Sequence, residues 1–401
     1  MNHQRVIDTF TEFFRDRGHQ PIPPGSLVPG PGDPVLFTSA GMHPLTPYLE
    51  GRPHPAGTRL VDVQRCLRTT DLDEVGDRSH LTVFEMLGSW SLGDYPGTQS
   101  VRWGLELVRD GFGIPVSRLY ATVYGGADFG STGHGGLDPD VGPDTDLLDT
   151  WADLGVPVEL SGLDNWWSNG PTGLCGTDSE LFVWTGDGPP QGTPGTDSRW
   201  MELWNHVLLC YWRLEDGHLQ PLTRPNVDTG MGLERLLTVL QGTDSVFGTD
   251  LLLPWTSVVR ERWPLEETAL RLVTDHLRSS VVVIGDGVRP SNTGRGYVLR
   301  RLIRRALTAV WQLDRGGTLD DLPSGLITGT LRHFGQDVGE PQVRGVLLGE
   351  QRRFGDLLSR GREVLRRRRG TGPLTEEEFR YLHETHGLPR EFVTAMLPEP
   401  A

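Results

Sequence analysis

Along the first twenty positions Val6, Ile7, Phe10, Phe13 and Phe14 recur at helical spacing and stop at Gly18, which predicts an opening amphipathic helix. The stretch PIPPGSLVPGPGDP then reads as an extended, proline-punctuated approach to VLFTSAGM, a strand and a turn. Residues 60–124 hold several apolar, β-rich runs, LTVFEML and RLYATVY among them, with one helix, VRWGLELVRDGF, between. Residues 125–145 are rich in Gly and Asp with little apolar content and read as a surface loop. ELFVW and MELWNHVLLCYWRL follow as two further strands, separated by a Gly/Pro-rich loop. From Gly230 the period changes to helical in GLERLLTVLQG, LRLVTDHLRSSVVVI, GYVLRRLIRRALTAVW and VRGVLLGEQRRFGDLLSRGREVLRRRR. Strands first and helices afterwards predict an α+β fold, with a sheet-containing domain over residues 1–250 and an α-helical domain over 251–401. There is no internal repeat.

Composition narrows the chemistry. The 401 residues carry 38 basic and 53 acidic side chains, a net charge of −15, and every basic residue is arginine. Without lysine there is no Walker A phosphate loop, no pyridoxal Schiff base and no protein-kinase strand Lys. Phosphate chemistry would have to run on arginine, backbone N–H groups and metal ions. Gly and Pro make up about a fifth of the chain, against an ordinary ~12%, so long loops are expected. Cys66, Cys175 and Cys210 are far apart and form no C-x-x-C pair, which argues against a disulfide framework or a Cys-rich zinc site and fits a reducing compartment. No run approaches a membrane span, and MNHQRVIDTF has no signal-peptide pattern. A cytoplasmic location and no membrane partner are the expectation. The acidic balance disfavours diffuse nucleic-acid binding but leaves room for a local basic stripe.

Three segments carry candidate chemistry. In VDTGMGLERLLTVLQG a strand end meets a Gly-flanked turn and then a helix, whose N-terminus offers free N–H groups to an anion. Asp228 before the turn and Arg235 in the first helical turns suit a ligand with a cation at one end and phosphate at the other. The same residues also read as an Asp cap and a surface Arg. In VQRCLRTTDLDEVGDRSHLTVFEML, Arg68 ends one strand and Phe84 lies on the next, so an antiparallel pair could present both to a nucleotide, although Phe84 alone reads equally as core. Residues 289–305 hold Arg289, Arg295, Arg300, Arg301, Arg304 and Arg305 with no acid among them. Arg300/Arg304 and Arg301/Arg305 lie one turn apart on a helix, and such a stripe can neutralise phosphates. Arg366 to Arg369 read as an exposed helix end.

Taken in order, FFRDRGH, GSLVPGPGDPVLFTSAGM, FEMLGSWSLGDY, ELWN, VDTGMGLER and DHLRSSVVVIGDGVRPSNTGRGYVLRRLIRRAL closely resemble the alanyl-tRNA synthetase family of class II aminoacyl-tRNA synthetases. The resemblance runs to EEFRYLHETHGLPREFVTAML, near the end of that family's helical tRNA-recognition region. The family's editing domain and C-terminal domain have no counterpart in these 401 residues. The resemblance implies an antiparallel sheet flanked by helices, followed by a helical domain. It implies that Arg68 contacts the α-phosphate of ATP, Phe84 stacks on adenine, Arg235 meets the terminal phosphates and Asp228 holds the substrate's α-ammonium. Met42, Trp167, Asn205 and Gly230 match residues lining the small amino-acid pocket. ATP and Mg²⁺ are the implied cofactors, and no zinc is expected.

This sequence also departs from the family. The family's motif 2 loop usually reads R-A-G-G-K-H-N-D before L-E-N-V-G, whereas Arg68 is followed here by TTDLDEVG, about four residues shorter and without the Lys. The segment G-D-T-G-P-C-G-P-C-S-E reads GPTGLCGTDSE, with Asp178 for the second Cys. Of the family's two acceptor-stem readers, Asn292 is kept in RPSN, but Glu384 stands where an Asp is usual. Adenylate chemistry therefore looks intact and tRNA recognition altered. The expected reaction is ATP-dependent activation of L-alanine as alanyl-adenylate. The first expected acceptor is tRNA(Ala), with Asn292, Arg300, Arg301, Arg304, Arg305 and Glu384 as candidate tRNA contacts. A stand-alone, tRNA-independent paralogue that passes alanine to a small molecule or carrier is the second reading, and an inactive tRNA-binding regulator the third. A monomer is expected.

Overall fold

In the computed structural model the described residues are 1–30, 35–126, 141–314, 316–366, 374–386, 388, 390 and 393–394, with side chains 383–387 excluded. Nine strands among them form one sheet: β1 (Gln20–Pro21), β2 (Arg59–Leu67), β3 (Val83–Ser91), β4 (Leu119–Tyr124), β5 (Val158–Ser161), β6 (Trp166–Ser168), β7 (Gly173–Trp184), β8 (Trp200–Arg213) and β9 (Leu219–Gly232). The order is β1-β2-β3-β9-β8-β7-β4-β5, with β6 paired to β7. The long central pairs β3/β9, β9/β8 and β8/β7 are antiparallel, and only the edge pairs β1/β2 and β4/β5 are parallel. Helices α1 (His3–Arg15), α2 (Thr46–Leu49), α3 (Gly97–Glu106), α4 (Thr145–Asp153) and α5 (Leu233–Gln241) belong to the same part of the chain.

The opening helix forms where its pattern places it. Asn2 caps α1 by accepting from the Arg5 N–H, and Val6, Phe10 and Phe14 are buried. They join Val61, Leu87, Leu203, Trp204 and Met231 in the core on one face of the sheet. A smaller cluster on the opposite face holds Met42, Leu60, Trp90, Leu92, Val207 and Leu209. The residues of β2 alternate between these two clusters, as a two-sided sheet requires, whereas in β8 Leu203 and Trp204 both join the first, where the β7/β8 register shifts.

Some elements differ from expectation. VLFTSAGM forms no strand; residues 35–42 are bends and turns. Strand β9 begins at Leu219, well before the strand end read in VDTG, and runs through Pro221 and Pro225. Strand β7 starts at Gly173, well before ELFVW, and carries a bulge between Cys175 and Asp178. A Cβ on Gly176 would lie 1.7 Å from the Leu208 carbonyl oxygen, so only glycine lets the two backbones approach there. Most of the 125–145 loop lies outside the described residues.

The chain divides into two compact units, residues 1–67 with 84–251, and residues 68–83 with 252–401. The second unit contains α6 (Leu253–Arg262), α7 (Glu267–Gly285), α8 (Gly294–Leu313), α9 (Ser324–His333), α10 (Glu340–Arg366) and α11 (Glu376–His386). The sequence reading placed residues 68–83 with the first domain. They pack instead with the helices, because α7 supplies their hydrogen bonds. Asp275 accepts from the Thr82 N–H at 2.8 Å and its hydroxyl at 2.5 Å, and the Arg278 guanidinium donates to the Val83 carbonyl at 2.9 Å.

Candidate active site

Sheet register assembles the first unit's candidate residues. Trp90 of β3 stands opposite Asp228 of β9, which stands opposite Val207 of β8, which stands opposite Asp178 of β7. The neighbouring row on the same face runs Gly88, Gly230, Asn205, Glu180. Asp228, Gly230 and Asn205 are therefore brought together. Met42 lies in the core cluster around Trp90, and Trp167 of β6 packs against that cluster. Phe84 is half-buried on β3. The next N–H along that strand, Glu85, donates to the Glu234 carboxylate at the start of α5 at 3.1 Å.

Asp228 is 7% exposed, and one carboxylate oxygen accepts from the Trp90 indole N–H at 2.7 Å. Burial pushes its pKa up to about 7, against a smaller downward pull from that hydrogen bond. A buried carboxylate held near neutrality is a receptor for a cation, which would restore its charge. Asp178 is likewise pushed up to about 7 by burial, with the Asn165 and Asn205 amides pulling it down and Glu202 and Asp164 pushing it up. The Asn165 amide donates to Asp178 at 2.8 Å. The Asn205 side-chain oxygen is buried and has no partner within the protein.

Arg235 sits in the first turn of α5. Its guanidinium donates to the Glu202 carboxylate at 2.7 Å and to the Glu202 carbonyl at 3.2 Å. With a side chain only 25% exposed, it is a held cation ready for an incoming anion. Glu202 and Trp90, the partners of the two charged residues, were missed in the sequence. Their roles depend on pairing across strands, which the local sequence does not reveal.

Arg68 belongs to the second unit, where its backbone N–H donates to the Thr82 carbonyl at 3.1 Å. The arginines of the basic stripe are also there. Each pair one turn apart on α8 converges on one acid supplied from elsewhere in the unit. Arg304 donates to Glu350 of α10 at 2.8 Å, and Arg300 lies 3.4 Å from the same carboxylate. Arg301 and Arg305 each lie 3.1 Å from Asp73. Arg300 also bonds to the side-chain oxygen of Asn292, and Arg289 donates to the Ile284 and Val288 carbonyls. The segment 289–305 lacks acids, but the folded unit brings them. Glu384 lies on α11, and its side chain is outside the described residues.

A family model described as tRNA synthetases class II (A) matches residues 5–400. The chain belongs to this family. An alanine–tRNA ligase of Treponema denticola is 41% identical over 354 residues, covering 82% of this chain and 56% of the relative. That of Treponema pallidum is 38% identical over 417 residues, covering 97% and 67%. The chain thus spans roughly half to two thirds of the length of these curated relatives. Among solved structures, apo histidyl-tRNA synthetase from S. aureus aligns over 60% of this chain and 66% of its own, with a TM-score of 0.35 and 13% identity. Asp228 and Gly230 lie on the antiparallel strand β9, and Arg235 on the helix that follows it. Among the described residues no group of three or more His, Cys, Asp or Glu side chains is arranged to hold a metal ion, and no helix is long and apolar enough to cross a membrane.

Proposed function

We propose that the chain is an ATP-dependent ligase of the alanine–tRNA ligase type, which activates L-alanine as alanyl-adenylate and releases pyrophosphate. The observation that carries this reading is the β9–α5 junction, where a buried carboxylate, Asp228, and a held guanidinium, Arg235, flank Gly230. Asp228 receives the α-ammonium of alanine, with Met42, Trp167, Asn205 and Gly230 around it. Phe84 stacks on adenine, Arg68 meets the α-phosphate and Arg235 the terminal phosphates.

The nucleophile is the substrate's own carboxylate, ionised at neutral pH. One of its oxygens attacks the α-phosphorus, the bond to the bridging oxygen breaks, and pyrophosphate leaves. No general base is required, so alignment and charge neutralisation are the protein's contribution. Magnesium arriving with ATP would neutralise phosphate charge. Arginines suffice for the rest, so the absence of lysine is compatible with this chemistry.

For the acceptor, the family favours the 3′ end of tRNA(Ala). A second reading, transfer to a small molecule or carrier, is supported by the short segment after Arg68 and by the acids that occupy the arginines of α8. Alanine-dependent ATP–pyrophosphate exchange tests activation. A protein that exchanges with no small amino acid would refute it. Alanyl transfer to total tRNA then separates the acceptors, because robust exchange without charging leaves only the second reading.

A further inference from the structure

We propose that Asp62 is a second carboxylate of the amino-acid site, acting with Asp228 on the substrate's ammonium group and sharpening the preference for a cationic amine. This rests on reading the Asp228 face of the sheet as the amino-acid pocket.

The register places it there. The Leu92 N–H donates to the Thr58 carbonyl at 2.7 Å, and the Arg68 N–H to the Thr82 carbonyl at 3.1 Å. These two bonds are ten residues apart on both strands, so the β2/β3 pairing between them has no bulge. Asp62 therefore stands opposite Gly88, and Leu60 opposite Trp90. Val61 and Val63 belong to the core on the other face, and Leu60 to the cluster around Trp90. Asp62 thus shares the face of Trp90 and Asp228, at the end of the row that continues through Gly88 and Gly230. Sheet spacing puts Asp62 and Asp228 on the order of 12 Å apart at Cα, two strands and one pleat.

Folding gives no reason for this carboxyl. Asp62 is 6% exposed, and its Oδ1 is buried with no hydrogen-bond partner. A buried polar group left unpaired is costly, and a Val or Thr would suit the position better. Burial, and then the charge of Asp228, push its pKa well up. A cation between them removes that penalty. An ammonium has three N–H donors, and Asp228 already spends one oxygen on the Trp90 indole. Asp62 supplies the missing negative potential, and in a poorly solvated pocket such attraction acts without direct contact.

A residue kept for the ligand at the expense of the fold gives opposite signs in two measurements. Asp62→Asn and Asp62→Thr would be compared with wild type by thermal melting, by alanine-dependent pyrophosphate exchange, and by calorimetric titration of L-alaninol with ATP present. Alaninol keeps the ammonium and lacks the reacting carboxylate. The expected result is a melting temperature equal or higher, a KM for alanine raised at least tenfold, a KM for ATP within twofold, and alaninol affinity weakened in parallel. Unchanged alanine KM and alaninol affinity would overturn the proposal, and so would failure of both variants to fold. If the wild type binds alaninol in an Asp62-dependent way but shows no exchange, the activation reading falls and the carboxylate pair stands. If the wild type takes up neither ligand, both fall.

Discussion

Replacing Arg235 by alanine is the most direct probe of the activation step. In the free protein its guanidinium is engaged by Glu202, through the carboxylate at 2.7 Å and the carbonyl at 3.2 Å. The two side chains are 25% and 35% exposed, so the pair is screened and contributes on the order of 0–1 kcal/mol to stability. Arg235→Ala should therefore fold with a melting temperature within a few degrees of wild type. Its effect on the reaction should be much larger. A charge-assisted contact to the terminal phosphates that strengthens as pyrophosphate leaves is worth ~2–4 kcal/mol, which converts to a rate loss of about 30- to 900-fold. Alanine-dependent pyrophosphate exchange, measured at saturating alanine and varied ATP, reads this loss. Glu202→Gln supplies the internal comparison, because it releases the guanidinium and should lower the KM for ATP. Exchange within threefold of wild type in Arg235→Ala would refute the placement of ATP on this helix.

Asp228→Asn should raise the KM for alanine at least tenfold while leaving that for ATP nearly unchanged. Its pH behaviour has a defined sign: the folded pKa near 7 lies above the unfolded value near 3.8, so the folded state binds more protons between them and stability should fall as pH rises from about 4 to 7. Melting curves across that range should flatten in Asp228→Asn, and an unaltered slope would count against a buried, shifted carboxyl. Glu350→Ala should destabilise the second unit by ~3–5 kcal/mol, since it strands Arg304 in a buried site; a shift under 1 kcal/mol would show the pair to be solvated. If tRNA is the acceptor, Arg301→Gln with Arg305→Gln should abolish alanyl transfer, spare pyrophosphate exchange and lower the slope of log affinity against log salt by about two units. An unchanged slope would remove these arginines from any phosphate contact.

How legible all this was from sequence depended on the range of the interaction. Helix α1 was readable because its stripe of Val6, Phe10 and Phe14 repeats locally, and α7 and α8 for the same reason. Strand β9 was only half visible, since Pro221 and Pro225 interrupt its first half. The residues at the β9–α5 junction were legible as a motif, but their partners were not. Trp90 reaches Asp228 across 138 residues, and Asp73 reaches Arg301 across 228. Nothing local in GSWS or in TTDLDEVG announces either contact. Asp62 is an intermediate case. The alternation in LVDVQRCL puts an acid on the face of Leu60 and Gln64, a visible irregularity whose meaning appears only when Asp228 is found on the same face.

The same distinction decides what the basic helix can do. In sequence its four central arginines are equivalent, two pairs spaced by one turn. In the fold they are not. Glu350 is fully buried and holds Arg304, itself 9% exposed, so turning that arginine towards a phosphate would leave a carboxylate unpaired in the interior, at a cost of several kcal/mol. Asp73 is 73% exposed. Its bonds to Arg301 and Arg305 are surface ion pairs worth at most ~1 kcal/mol each, and water can take over its hydration when a phosphate displaces it. Of the stripe, then, Arg301 can change partners at little cost, Arg305 only by also leaving its 2.6 Å bond to the Leu72 carbonyl, and Arg304 not without stranding Glu350. That limits α8 to about two phosphate contacts through these residues and sets the two-unit salt slope predicted above. Two contacts are a small electrostatic footprint on a protein of net charge −15. A tRNA acceptor therefore needs shape-specific contacts beyond this helix, whereas a small-molecule acceptor needs none of it.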